Sequence, residues 1–139
     1  MKLDLSPRNL PLRLATGAFI LNSGLGKRDV PPERAAGLHG MAAGAYPMLS
    51  GVEPARFVKT LSTAEIAIGA CLLAPIVPPR LAGLLLTGFA GGLVGMYLRT
   101  PGLHEPGSIR PSANGTAIAK DVWMLGAGLS LLAASRRGR

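Results

Sequence analysis

Aromatic side chains are scarce, with three Phe, two Tyr and one Trp in 139 residues. That scarcity removes the stacking platforms on which single-stranded nucleic acids are held. Lys and Arg outnumber Asp and Glu by 15 to 7, for a formal charge of +8, yet without interleaved aromatics this basic balance does not read as nucleic-acid binding. Cysteine is scarcer still. Cys71 stands alone, which excludes an intrachain disulfide and any CxxC redox or zinc motif. Of the two histidines, His39 and His104, neither has a second His or an acid at a metal-ligand spacing, so no metal site is expected. No secretory leader is expected either, because Arg13 interrupts the first apolar run and no small-residue cleavage site ends it.

Charge as a whole is sparse, at 16% of residues against about a quarter in soluble domains. What fills the chain instead is apolar, 48% of it, and the mean hydropathy is positive. Many of the 19 glycines lie inside the apolar runs, a placement that membrane helices tolerate. The pattern predicts one all-α domain over 1–139, an integral membrane four-helix bundle with spans at about 10–26, 57–77, 80–98 and 117–134. Each reaches or approaches the ~20 residues needed to cross a bilayer. The first is the shortest, and a signal anchor or an interfacial helix also fits it; its Arg13 must reach back to the interface. Pro75, Pro78 and Pro79 punctuate the connection between the second and third segments and predict a tight turn, hence an antiparallel hairpin. The stretch 38–49, broken by Pro47, is too short to span and reads as an interfacial or re-entrant piece.

The third segment carries small residues at every fourth position, Gly83, Thr87, Gly91 and Gly95. Such a ribbon lets another backbone approach, either within the bundle or at a homodimer seam. Trp123 and Tyr97, near helix ends, read as interfacial belt residues. Alternating spans put Lys27, Lys59, Arg99, Lys120 and Asp121 on one side of the bilayer. Asp121 can also serve simply as an N-terminal complement to the helix dipole.

Glu65 lies in the most membrane-like stretch, ~12 Å below that layer along its helix. A charge at such depth costs roughly 2.5 to 3.5 kcal/mol on insertion scales, so it calls for a partner. Its neighbours Ser62 and Gly69 are small and leave room for a second helix carrying Lys or Arg. Two roles follow: a structural clasp with a base, or the floor of a ligand or proton site beneath a quinone head group or small anion. Asn22 is the other polar side chain within a span, suited to helix-to-helix hydrogen bonding or to the same site.

Arg13-Leu-Ala-Thr-Gly17 followed by Asn22-Ser-Gly24-Leu-Gly26-Lys27 resembles the opening helix of DoxX-like membrane proteins. Ala64-Glu65-Ile-Ala-Ile-Gly69 resembles that family's second helix, and Ala119-Lys120-Asp121-Val-Trp-Met-Leu-Gly126 the start of its fourth. The resemblance covers roughly 11–132 and rests on the order and spacing of these motifs. It implies a multi-pass protein of the bacterial inner membrane with cytoplasmic termini, associated with respiratory or thiol and sulfur redox complexes. It also implies a subunit or assembly partner rather than a catalytic centre, with no covalent cofactor; the alternative is an oxidoreductase subunit with a quinone or sulfur-compound site around Glu65, Arg99, Lys120 and Asp121. A small weak-acid transporter is the third reading. Partners would be the lipid bilayer and a membrane protein or a second copy, with no nucleic acid. The stretch 38–49 has no counterpart in that pattern, and the lack of a cysteine pair argues against intrinsic thiol exchange. Positive charge does not settle orientation, with seven Lys and Arg falling on one side and eight on the other; the Arg136-Arg137-Gly138-Arg139 tail and the resemblance favour termini inside.

Overall fold

Prolines set most of the helix starts. Pro11, Pro32, Pro54 and Pro79 each stand in the first turn of a helix, where the missing N–H costs nothing and the fixed φ is already helical. In the computed structural model, which describes residues 3–100, 108 and 121–137, the elements are α1 (Leu10–Gly26), α2 (Pro32–Ala45), a 3-10 turn (Pro47–Gly51), α3 (Pro54–Leu73), α4 (Pro79–Arg99) and α5 (Val122–Arg137). Among the described residues the fold is all-α. The expected helices at 10–26 and 80–98 stand nearly as drawn, whereas the one expected at 57–77 runs three residues earlier and stops at Leu73, ahead of Pro75. The beginning of the segment expected at 117–134 lies outside the described residues.

The 38–49 stretch divides at Tyr46, ahead of Pro47: residues 38–45 are the second half of a regular helix that Pro31 and Pro32 start, and residues 47–49 belong to the 3-10 turn that follows. Ala35, Ala42 and Ala45 fall on one face of α2 and are buried, so a narrow stripe of small side chains lets α2 lie across α3 and reach α4.

The bundle is built from two closely packed pairs, α1 with α3 and α4 with α5. In the first pair a Cβ at Gly69 would stand 2.7 Å from the backbone nitrogen of Leu21, and one at Gly24 would stand 2.9 Å from that of Ile66. In the second, a Cβ at Gly83 would stand 3.0 Å from the Leu132 nitrogen, and one at Gly128 would stand 2.7 Å from that of Thr87. Backbone meets backbone at these four points. Ile20, Leu72, Leu86, Ala90 and Leu131 close the core where the pairs meet. The hairpin expected of α3 and α4 is only a connection: the two helices touch sparsely, because each has given its small-residue face to another partner.

The small-residue ribbon of α4 therefore splits. Gly83 and Thr87 face α5, Gly95 faces the Tyr46 hydroxyl, and a Cβ at Gly91 would meet nothing within 4 Å. The Thr87 hydroxyl is buried against this seam and has no hydrogen-bond partner among the described residues. A contrast follows. Gly69→Ala should cost about 1–3 kcal/mol by forcing α1 off α3, since the obstacle is backbone and cannot swing away. Gly91→Ala should be neutral or add up to about 1 kcal/mol through helix propensity. Thermal unfolding of the two variants checks this, and equal losses would contradict the seam.

By length and composition, α4 is the one helix among the described residues able to cross a membrane. α1 has 17 residues and α5 has 16, and α3, with 20, carries Arg56, Lys59 and Glu65. Large apolar side chains stay exposed on several elements, among them Phe19, Leu84, Leu98 and Leu129.

Candidate functional site

Helical geometry puts Ser62, Glu65 and Gly69 on one face of α3, three and four residues apart, and this face meets α1. The Ser62 hydroxyl donates to the Gly24 carbonyl at 2.7 Å. Just beyond, Lys27 follows the last residue of α1, and its ammonium reaches both oxygens of Glu65 at 3.1 Å. Lys27 also donates to the Ser23 hydroxyl one helical turn back. Glu65 is nearly sealed, its side chain 3% exposed, while that of Lys27 is 17% exposed. The pair thus has a closed side and an open side.

The open side gives on to a cleft of about 900 Å³, within the range of small-molecule sites. Ala35, Val58 and Ser62 are its buried lining and Ile66 and Lys27 are half-buried; Arg28, Asp29, Glu53 and Lys59 are exposed and form its mouth. The N-terminal turns of α2 and α3 both border it, and neither helix has a side-chain cap.

Of the polar residues expected to converge, Lys27 is the one that meets Glu65. Arg99 sits elsewhere: its guanidinium lies 5.2 Å over the Tyr46 ring and its Nη1 donates to the Ala45 carbonyl at 3.4 Å. That places it at the C-terminal end of α2, ~15 Å along the helix from Ala35 at the cleft. Asn22 is exposed, because two residues before Gly24 the helix has turned about 200°, away from α3. Asp121 is buried just ahead of α5, its carbonyl accepting the amides of Met124 and Leu125. Lys120 lies outside the described residues. Tyr97, expected at an interfacial belt, is instead buried at 5% exposure, while Trp123 is 77% exposed. His39 is taken up in packing, with its Nε2 2.8 Å from the Leu49 carbonyl and its ring edge-on to Phe57. No group of acids, His and Cys among the described residues can hold a metal ion.

A second polar centre, missed by the sequence reasoning, lies at the other end of the same helix pair. Arg13 does not reach back to an interface; it is 1% exposed. Nε donates to the Leu72 carbonyl, Nη1 to Val77 and Asp4, and Nη2 to Cys71 and Ala74, all at 2.8–2.9 Å. All five guanidinium donors are used. Their targets are mostly carbonyls at the C-terminal end of α3 and in the turn after it, groups that a helix end leaves without partners. Asp4 completes the centre, held by the Asn9 side chain at 3.0 and 3.1 Å and by its own amide on Pro75. The signal was present: Asn9 and Arg13 are four apart, so they share a helix face, and an arginine inside an apolar run needs a partner as much as Glu65 does.

Compared with models of known protein families, with curated proteins and with solved structures, the chain has no match.

Proposed function

We propose that this chain is a multi-pass protein of the bacterial inner membrane that acts as a non-catalytic subunit or assembly partner of a respiratory or thiol/sulfur redox complex. One observation carries the membrane part. α4 is long and apolar enough to span, and only 28% of its most apolar stretch is buried inside the fold, which supports a helix with a face open to lipid. Its outer face, with that of α1, has large apolar side chains for lipid or a partner helix to cover. The multi-pass arrangement, the inner-membrane location and the redox association rest on the DoxX-like motifs alone.

The non-catalytic part is supported by how the inner polar groups are spent. Arg13 has no donor left, and Glu65 is taken up by Lys27. The oxidoreductase alternative, with a quinone beside Glu65, draws on Arg99 as well, and Arg99 is engaged at the opposite end of α2. A transporter would need free polar groups along the Arg13 end, where that guanidinium is saturated.

Two measurements test the reading. After alkaline carbonate extraction the protein should stay in the membrane pellet; release into the supernatant overturns the membrane part. Mild-detergent purification should recover it with a stoichiometric partner whose absorbance reports a redox cofactor. Recovery of the isolated chain under conditions that preserve known respiratory complexes overturns the subunit part.

A further inference from the structure

The cleft beside Lys27 is not used by the clasp, and its lining has a definite chemical order. The buried part of the lining is mainly apolar, with Ala35 and Val58 at 5% and 2% exposure and Ile66 beside them, and its one hydroxyl, Ser62, already donates to the Gly24 carbonyl. One partly buried ammonium, Lys27, also lines it. At the mouth two bases, Arg28 and Lys59, and two acids, Asp29 and Glu53, are all exposed, and none of the four enters an ion pair with a described residue.

A purely apolar ligand would leave these charges unmatched. With Lys27 paired to Glu65, the mouth holds two bases and two acids, so a lone anion would face two unmatched carboxylates and a lone cation two unmatched bases. What matches is a molecule carrying one anionic group, a nearby hydrogen-bond donor and an apolar body.

We propose that the cleft binds the head group of a phosphodiester amphiphile. The phosphate sits between Arg28 and Lys59, where charge-assisted hydrogen bonds are about twice as strong as neutral ones. A head-group ammonium or hydroxyl faces Asp29 and Glu53. The glycerol and the first carbons of the chain lie over Val58 and Ile66. The same chemistry occurs in bilayer phospholipids and in soluble glycerophosphodiesters. For a bilayer source the inference rests on the membrane reading above; for a soluble source it does not.

The test is titration calorimetry on the full chain in non-ionic detergent, with dihexanoyl phosphatidylethanolamine, dihexanoyl phosphatidylcholine and glycerophosphoethanolamine as probes. The ethanolamine lipid should bind at least tenfold more tightly than the choline lipid, which has no N–H to donate. Arg28→Gln with Lys59→Gln should weaken it at least tenfold. Arg34→Gln with Arg56→Gln removes the same charge from exposed positions that do not line the cleft, and should change affinity less than twofold. Asp29→Asn with Glu53→Gln should erase the preference for ethanolamine over choline.

Equal weakening by the two arginine-containing pairs, equal affinity for the two head groups in the unaltered chain, or no binding of any probe overturns the proposal. Binding of glycerophosphoethanolamine as tight as that of the lipid supports the head-group contacts with a soluble source and removes the chain carbons from Val58 and Ile66, and binding of the lipid alone supports the site with a bilayer source. Carbonate extraction is read separately, so a protein that stays in the membrane but binds no probe removes this inference and leaves the membrane reading standing.

Discussion

Replacing Arg13 by Met should cost about 3–5 kcal/mol, the loss expected when one partner of a buried, hydrogen-bonded charge pair is removed. The side chain is 1% exposed and its donors bind four carbonyls and Asp4. Methionine matches the aliphatic stem of arginine but ends near Nε, so a small cavity adds to the effect. The loss comes from carbonyls left without donors at the end of α3 and from the Asp4 carboxylate left with Asn9 alone. Arg13→Lys keeps the charge but replaces a planar five-donor fork by three donors on one atom, and it should recover less than half of the loss. Denaturant or thermal unfolding of the purified protein reads both variants. A loss below about 1 kcal/mol for Arg13→Met would show that water or a rearranged turn can satisfy these carbonyls.

The second large effect is asymmetric between single and double variants at the Lys27–Glu65 clasp. Lys27→Met leaves a carboxylate at 3% exposure with no base beside it, and should cost about 3 kcal/mol, the low end of the range for breaking a buried pair, because Lys27 itself is partly open. Glu65→Leu leaves the cation, which can turn towards the cleft and water, and should cost less, about 1–2 kcal/mol. The double variant Lys27→Met with Glu65→Leu should be more stable than Lys27→Met alone, since removing both members of a buried pair is often close to neutral. A double variant whose loss equals the sum of the single losses would mean the two groups do not act on each other, and the clasp would not be one.

Much of this was legible in single residues. The prolines at 11, 32, 54 and 79 mark first turns because a residue without an N–H is tolerated there, and the apolar runs between them are helical whatever surrounds them. Glu65 announced a partner by its cost. Which partner answered was not local information. Several bases were drawn on the same side as Glu65, and the choice of Lys27 depends on Gly24 and Gly69 bringing α1 and α3 to backbone contact, 38 residues apart along the chain. Arg99 was misplaced for the same reason: its position depends on α2 crossing to α4 and presenting Tyr46. The α4 ribbon shows the limit of pattern most clearly. Gly83 and Gly91 look alike in sequence, yet a Cβ added at the first would meet α5 and one added at the second would meet no described atom within 4 Å.

The sequence by itself determined that this is a helical, glycine-rich and weakly charged chain, roughly where its longer apolar helices lie, and that Glu65 stands in an apolar run and needs a partner. These follow from properties each residue carries with it: a fixed φ, a missing Cβ, a charge that costs free energy away from water. The tertiary structure decided which helices pair, that Lys27 meets Glu65, that Arg13 holds the end of α3, and that a charged cleft opens beside the clasp. Those depend on distances between residues tens of positions apart, which are set only when the packed backbones settle which faces are shared.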